Sequence, residues 1–360
     1  MELLLNDEQT MLRDSAATFA ERRGGDERLR RQRDTETNID RAVWSQAADA
    51  GWLAILAPEN AGGLGLGLTE LCLLSEELGK GLVTEPVAAV AAVARALGAS
   101  GGAETVISGA KIILPALMEG PRSIGDEAPT VTCSIDGDAM TLDGVKTGIP
   151  CPADADGFLV SAAGSDGPVL ITVDPAAVET QADATLDGAT IGSIVLNGVP
   201  GIQVAGPNEA PALIADLLDA LHLGNAAELL GIMEAAQAIT VDYLNTREQF
   251  GRPIGSFQAL QHRAVDNLAA IEMCRSLIFQ AARAIDSDGG APGLVSAALS
   301  KAAGSALEVC KSAVQMHGGI GFTDEHDIGL YLKRAVVLAA RYGNAGLHRK
   351  RYAECAELYD

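Results

Sequence analysis

Apolar positions along this chain recur with two different periods. From residue 1 to about 112 they return every three or four residues, the spacing of helices that bury one face. Asn6 and Gln9 form a capping-box pair ahead of Met11, Leu12 and Phe19. "IDRAVWSQAADAGW" predicts a second helix stopped by Gly51, and "TELCLLSEELGKG" and "PVAAVAAVARALGASG" predict two more, with the glycine-rich loop "PENAGGLGLG" before them. After about residue 112 the period falls to two. "TVTCSIDGDAMTLDGVKT" sets β-branched residues around Asp136-Gly137 and Asp143-Gly144, both expected as turns. "GFLVSAAGSDGPVLITV" reads as strand, turn, strand, and "IGSIVLNGVP" as a strand with a turn at Asn197-Gly198. Strands with no helix between them predict a small antiparallel β-barrel to about residue 205. From Asn208 the helical period returns over much longer segments, which predict a C-terminal four-helix bundle with room for an oligomer interface on its outer face. The expected architecture is mainly α with a β middle domain: an N-terminal helical domain (1–112), a barrel (113–205) and a helix bundle (206–360).

Composition narrows the function classes. Hydrophobic residues are 48% of the 360, which excludes a disordered chain. Formal net charge is −22, so nucleic acid and anionic membranes, which demand basic patches, are excluded as partners. An anionic cofactor would need a local cationic site. None of the six cysteines lies in a C-x-x-C pair, which argues against zinc or iron–sulfur and for reduced core thiols in a cytoplasmic protein. The N-terminus lacks a basic segment before an apolar run, and no apolar stretch reaches the roughly 18 residues that span a bilayer. The expectation is a soluble, cytoplasmic chain without metal.

Between two of the long helices lies "REQFGRPIGSFQALQH", with Gly251, Pro253 and Gly255, two phenylalanines and two arginines. A simple turn between helices needs fewer special residues. Arg247 taken alone reads as a surface ion pair, and "GGIG" at 318–321 taken alone reads as a helix cap and turn. In order along the chain, however, "PENAGGLGLGLTELCLLSEELGK", "REQFGRPIGSFQALQHRAVDN" and "QMHGGIGFTDEHDIGLYLKRA" resemble three signatures of the acyl-CoA dehydrogenase family, and the resemblance covers the whole chain.

The resemblance implies FAD as cofactor and an acyl-CoA thioester as substrate, with electron-transfer flavoprotein as the acceptor. In that family the two later segments bind the pyrophosphate and adenosine side of FAD across a subunit interface. It implies that Arg247 grips the pyrophosphate and that Phe250 packs on the adenine or ribose side, with Gln249, Phe257 and Gln258 along the same wall. A guanidinium offers a phosphate two parallel donors. Gln315, His317, Gly318 and Gly319 form the second segment, in which glycine lets the backbone approach the cofactor.

The family's chemistry needs a carboxylate base beside the flavin, and here the pattern departs. The Y-E-G-T-like segment becomes "ARYGNAGLHRK": Tyr342 fits, but the base position is Gly343. The alternative base position on the first bundle helix falls at about Leu221, beside His222; Asp219 is two residues away, on a different helical face. The flavin-ring segments are altered as well. In "LPALMEGPRSIGD" Glu119 matches a glutamate but Met118 replaces a threonine, and in "GVKTGIPCPADAD" Gly144 and Lys146 match while Gly148 and Pro150 replace an aromatic and a threonine. The expectation is therefore a non-catalytic subunit of an α2β2 acyl-CoA dehydrogenase, which lends ADP-side contacts while a second subunit supplies the catalytic Glu. Such two-gene assemblies often take bulky substrates, including sterol side-chain CoA esters. Alternatives are a self-sufficient homotetramer with a relocated base at Asp219 or Glu119, another flavin reaction on the same fold, or a scaffold without cofactor. The run from His348 to Arg351 reads as a solvated helix face.

Overall fold

The computed structural model describes residues 5–33, 38–98, 100–136, 139–288 and 290–356. In chain order the elements are α1 (Asp7–Arg23), α2 (Asp26–Gln32), α3 (Arg41–Asp49), α4 (Leu68–Lys80), α5 (Val87–Gly98), α6 (Glu104–Ile107), β1 (Ile113–Ala116), β2 (Thr132–Asp136), β3 (Ala139–Pro150), β4 (Gly157–Ala163), β5 (Pro168–Val173), β6 (Glu179–Ala184) and β7 (Thr190–Ala205). There follow α7 (Ala210–Thr246), β8 (Glu248–Gln249), β9 (Arg252–Pro253), α8 (Gln258–Asp288), α9 (Pro292–His317), α10 (Ile328–Ala340) and α11 (Ala345–Cys355). Helical segments flank a β-rich centre, as the two periods require. None of the described helices is long and apolar enough to cross a membrane.

The helix ends follow local chemistry. Asn6 caps α1: its Oδ1 accepts from the Gln9 amide at 2.8 Å, and Gln9 Oε1 accepts from the Asn6 amide at 3.2 Å. Asp7 and Glu8 open α1 and Arg22 and Arg23 close it, each charge opposing the local end of the helix dipole. Asp40 caps α3 through the amides of Ala42 and Val43. Gly51 follows α3 in the left-handed region at φ 80°.

Two compact units divide the chain: Gln32–Leu71 with Thr84–His222, and Met1–Arg31 with Cys72–Val83 and Leu223–Asp360. In the first unit β4, β2, β3, β7 and β5 close into a ring, because β5 pairs back onto β4; β1 lies beside β4 and β6 beside β7. Most pairings are antiparallel, while β1 and β2 run parallel to β4. The β4–β5 hairpin forms as its sequence predicts. Two expected turns do not. Asp143-Gly144 lies inside β3 and Asn197-Gly198 inside β7, where both strands run on with a register shift. Gly144 at φ 138° packs against Val131 and Gly198 at φ 62° donates to Asp143 Oδ1 at 2.8 Å, so each dipeptide bends a strand rather than ending it. The Asp136-Gly137 turn lies outside the described residues.

The second unit is the bundle. α9 packs against α8, α10 and α11, and its buried face is mainly alanine, valine and serine. α4 crosses α7 at a pair of glycines. A Cβ on Gly231 would stand 1.9 Å from the Glu76 carbonyl oxygen, and one on Gly79 would stand 2.3 Å from that of Glu228. His348 departs from the solvated face expected of it. It is fully buried, with Nε2 2.9 Å from the Tyr342 carbonyl oxygen, while Arg349 and Lys350 are exposed. Cys72, Cys151, Cys274 and Cys310 are buried, Cys133 is half-buried, and Cys355 is exposed rather than in the core.

Candidate functional site

The segment after α7 is a hairpin. β8 and β9 pair Glu248 with Pro253 and Gln249 with Arg252. Phe250 and Gly251 occupy its two-residue turn at φ 56° and 77°, the doubly left-handed geometry of the tightest hairpins. The turn thrusts Phe250 into solvent, 91% exposed. At the base of the hairpin the Ile254 amide donates to the Arg247 carbonyl at 2.8 Å. Gly255 comes so close to α7 that a Cβ would meet the Leu244 carbonyl oxygen at 2.8 Å. Phe257 stands edge-on to Phe250 at 6.1 Å, and the Arg252 guanidinium lies 4.3 Å above the Phe257 ring. Arg247, Gln249 and Gln258 are exposed. The many special residues of this stretch thus build a stiff turn that presents a cation and an aromatic ring.

The second segment follows α9. Gln315 is exposed on the last turn, and Gly318–Phe322 form a 3-10 turn. Gly318 has φ 67°, and a Cβ on either Gly318 or Gly319 would meet nothing within 4 Å, so the backbone lies open to an approaching group. Phe322 is 90% exposed. His317, by contrast, is buried, and its ring stacks on Tyr243 of α7 at 4.5 Å. Tyr243 is one helical turn before Arg247, whose amide donates to the Tyr243 carbonyl at 2.8 Å. The stack thereby ties the root of the hairpin to the root of the glycine loop. Together they offer an exposed guanidinium, exposed aromatic faces and open backbone, the set that receives a phosphate-bearing aromatic ligand.

The altered segments of the barrel unit are closed on themselves. Met118 bridges to Thr147, whose amide donates to the Met118 carbonyl at 2.9 Å. Thr147 Oγ1 accepts from the Gly120 amide at 2.8 Å. Lys146 is fully buried and its Nζ donates to Glu119 Oε1 at 2.5 Å, Ser161 Oγ at 2.9 Å and the Leu117 carbonyl at 3.2 Å. Glu119 also accepts from the amides of Thr130 at 2.7 Å and Val131 at 3.1 Å. Burial acts to raise its carboxyl, but Lys146, Thr130 and Val131 outweigh it and hold the group below its ordinary value. A carboxylate so held is a poor base. Pro150 has no amide to offer.

Neither expected base position carries a free carboxylate. Gly343 follows Tyr342 after α10, both in the left-handed region at φ 94° and 58°. On α7, Leu221 is buried and His222 Nε2 is 3.2 Å from the Ile124 carbonyl. Asp219 is buried on the same helix.

Comparison with known proteins decides the family. Residues 6–105 match the model of the acyl-CoA dehydrogenase N-terminal domain and residues 212–356 that of the C-terminal domain. The acyl-CoA dehydrogenase FadE27 of Mycobacterium tuberculosis is 31% identical over 344 residues, covering 89% of this chain and 90% of that protein. The chain belongs to the acyl-CoA dehydrogenase family. Among solved structures, a variant of the Tcur3481–Tcur3483 steroid ACAD is 32% identical with a TM-score of 0.89 over 98% of both chains. The ChsE4–ChsE5 complex from M. tuberculosis is 29% identical with a TM-score of 0.88 over 99% of both.

As an acyl-CoA dehydrogenase the chain keeps one half of the family's pattern in the open and has the other half closed. The structure puts Phe250 in the hairpin turn with Phe257 edge-on to it and Arg247 at the hairpin's base, and sets Gln315, His317, Gly318 and Gly319 along the other segment. Sequence reading missed Tyr243, because a tyrosine on a helix four residues before a motif is indistinguishable from a packing residue until its partner is known. It also missed His326, which stands 4.4 Å from the His317 ring.

Proposed function

We propose that this acyl-CoA dehydrogenase is the non-catalytic subunit of an α2β2 assembly, with residues 1–112, 113–205 and 206–360 as its three domains. In this reading it grips the ADP side of an FAD whose ring lies in a partner subunit. One observation carries the reading: the phosphate-side residues stand exposed on one chain, while the ring-side positions are closed by that chain's own hydrogen bonds. The residues present fit the phosphate and adenosine end, because a Cβ at Gly318 or Gly319 would meet no neighbour and Phe250 is uncovered. They do not fit the ring end, where Thr147 spends its amide on Met118 and Pro150 has none.

When bound, FAD supplies the hydride acceptor for α,β-dehydrogenation of an acyl-CoA thioester. Arg247 binds the pyrophosphate, Phe250 packs on the adenine or ribose, and Gln249, Phe257, Gln258 and Gln315 line the wall. Gly318 and Gly319 let the backbone close on the cofactor. The partner subunit supplies the catalytic Glu that Gly343 lacks. Likeness to a steroid ACAD and to a two-component complex supports a partner and a bulky, sterol-type acyl group. Electron-transfer flavoprotein takes the electrons, in the cytoplasm.

The test is flavin stoichiometry by visible absorbance, with native mass, on this chain alone and co-expressed with a neighbouring acyl-CoA dehydrogenase gene product. A colourless or insoluble lone chain and a co-expressed tetramer with one FAD per pair of chains are expected. A yellow homotetramer with one FAD per chain sinks the reading. It would move the search to Asp219, with Asp219→Asn as the deciding variant.

A further inference from the structure

Three rings meet beneath the glycine loop. Tyr243 of α7, His317 at the end of α9 and His326 before α10 stand 4.5 Å (Tyr243–His317), 4.4 Å (His317–His326) and 6.0 Å (Tyr243–His326) apart. The two histidines bracket the loop, so their contact closes its ends. Their hydrogen bonds fix opposite tautomers. His317 Nδ1 is 2.8 Å from the Ala313 carbonyl oxygen, so that nitrogen carries the proton and donates. Its Nε2 is buried and meets no partner. His326 Nδ1 accepts from the Ile328 amide at 3.1 Å, so that nitrogen is bare. Ile328 opens α10, and the N-cap residue Asp327 gives it no side-chain bond. Asp327 instead pairs with Arg30 at 2.7 Å, and His326 does the capping.

We propose that Tyr243, His317 and His326 are positioning residues that hold the loop in the shape receiving the adenosine end of the cofactor, and that they do so only while both imidazoles are neutral. This rests on the reading of Gly318 and Gly319 as cofactor contacts. A proton added to His317 must sit on Nε2, buried with no acceptor. A proton added to His326 must sit on Nδ1, where it faces the Ile328 N–H and ends the cap. Two imidazoliums at 4.4 Å also repel.

The charged groups around the rings are mostly engaged with one another. α7 contributes the Tyr243 phenol and α9 the Ala313 carbonyl. From α2, Arg30 takes Asp327 and the Asp324 carbonyl; from α10, Lys333 lies 3.7 Å from the Asp324 carboxylate. Glu325, on the loop itself, is exposed. Burial pushes the His317 imidazole below its ordinary value against the Ala313 bond, and His326 adds to the push. The cofactor is therefore held at neutral pH and released as pH falls, its Kd rising by up to about tenfold per pH unit for one linked proton.

The device and the cofactor reading are tested separately on the full chain, in its complex if that is how it purifies. Imidazole nitrogen shifts of the flavin-free, nitrogen-15-labelled protein report tautomer and titration, and with five histidines single His→Gln variants assign them. His317 is expected as the Nδ1–H form and His326 as the Nε2–H form. Reversed tautomers, or a His317 ring that titrates like free imidazole, overturn the device. Flavin retention is then followed from about pH 8 to about pH 5.5. His326→Ala is expected to lose flavin at both ends. His326→Asn, whose amide oxygen caps without titrating, is expected to restore flavin at the upper end and flatten the slope. A slope unchanged by His326→Asn overturns the proposal. Arg247→Ala reports on the cofactor reading alone: undiminished flavin there means that the loop has no cofactor to hold, whatever the rings do.

Discussion

Lys146 has no exposed surface, yet three acceptors surround its ammonium group. Removing its anion and removing the cation itself are therefore unequal insults. Glu119→Ala strands a buried charge and is expected to cost about 3–5 kcal/mol. Lys146→Met fills much the same volume, and Glu119 keeps the Thr130 and Val131 amides, so the loss should be about 1–2 kcal/mol. Denaturant unfolding of the two variants checks the order, and Lys146→Met as the weaker protein would contradict it. The pair also sets an acid limit. Because the folded Glu119 carboxyl lies below its ordinary 4.5, the unfolded chain takes up the proton first. Its contribution is complete above that value and fades as pH falls through the lower folded one. Both residues were legible in the sequence as matches to family segments. Their pairing was not, since they lie 27 residues apart and only the strand register joins them.

Elements were legible where a single period ran unbroken, and least legible where glycine interrupted it. Asp143-Gly144, Asn197-Gly198 and Phe250-Gly251 all put glycine at positive φ, but the first two bend long strands and only the third is a hairpin turn. The dipeptide signal states that the chain bends; the partners on either side decide whether it reverses. Gly79 carries a different constraint: it lies inside α4 and meets α7 at the crossing completed by Gly231. A methyl group at Gly231 has to displace backbone, which side-chain rotation cannot relieve. Gly231→Ala is therefore expected to cost about 3 kcal/mol or more, or to yield insoluble protein. Wild-type stability in thermal unfolding would mean that the two helices can separate at no cost.

At the scale of the whole molecule, assembly has to overcome charge. With a net charge of −22, two copies repel, and salt screens that repulsion. On α8, Val265, Leu268 and Met273 are nonetheless exposed on the single chain. Covering one leucine is worth about 1.5–3 kcal/mol, so such a face can offset screened repulsion if a second subunit buries it. The sequence showed a long apolar-striped helix but not which side faces outward, since the stripe that meets α9 and the stripe that meets solvent read alike. The outward face can be tested without touching the hairpin or the glycine loop. Leu268→Glu removes the apolar contact and adds one more negative charge, and Leu268→Ala removes only the contact. If α8 lies in the interface, native mass should fall for Leu268→Glu and fall less for Leu268→Ala, with helical circular dichroism unchanged. Raising the salt should recover part of the loss in the charged variant and little in the alanine one, because only the former includes repulsion. Wild-type mass for Leu268→Glu at both low and physiological ionic strength would place the interface on another face of the bundle.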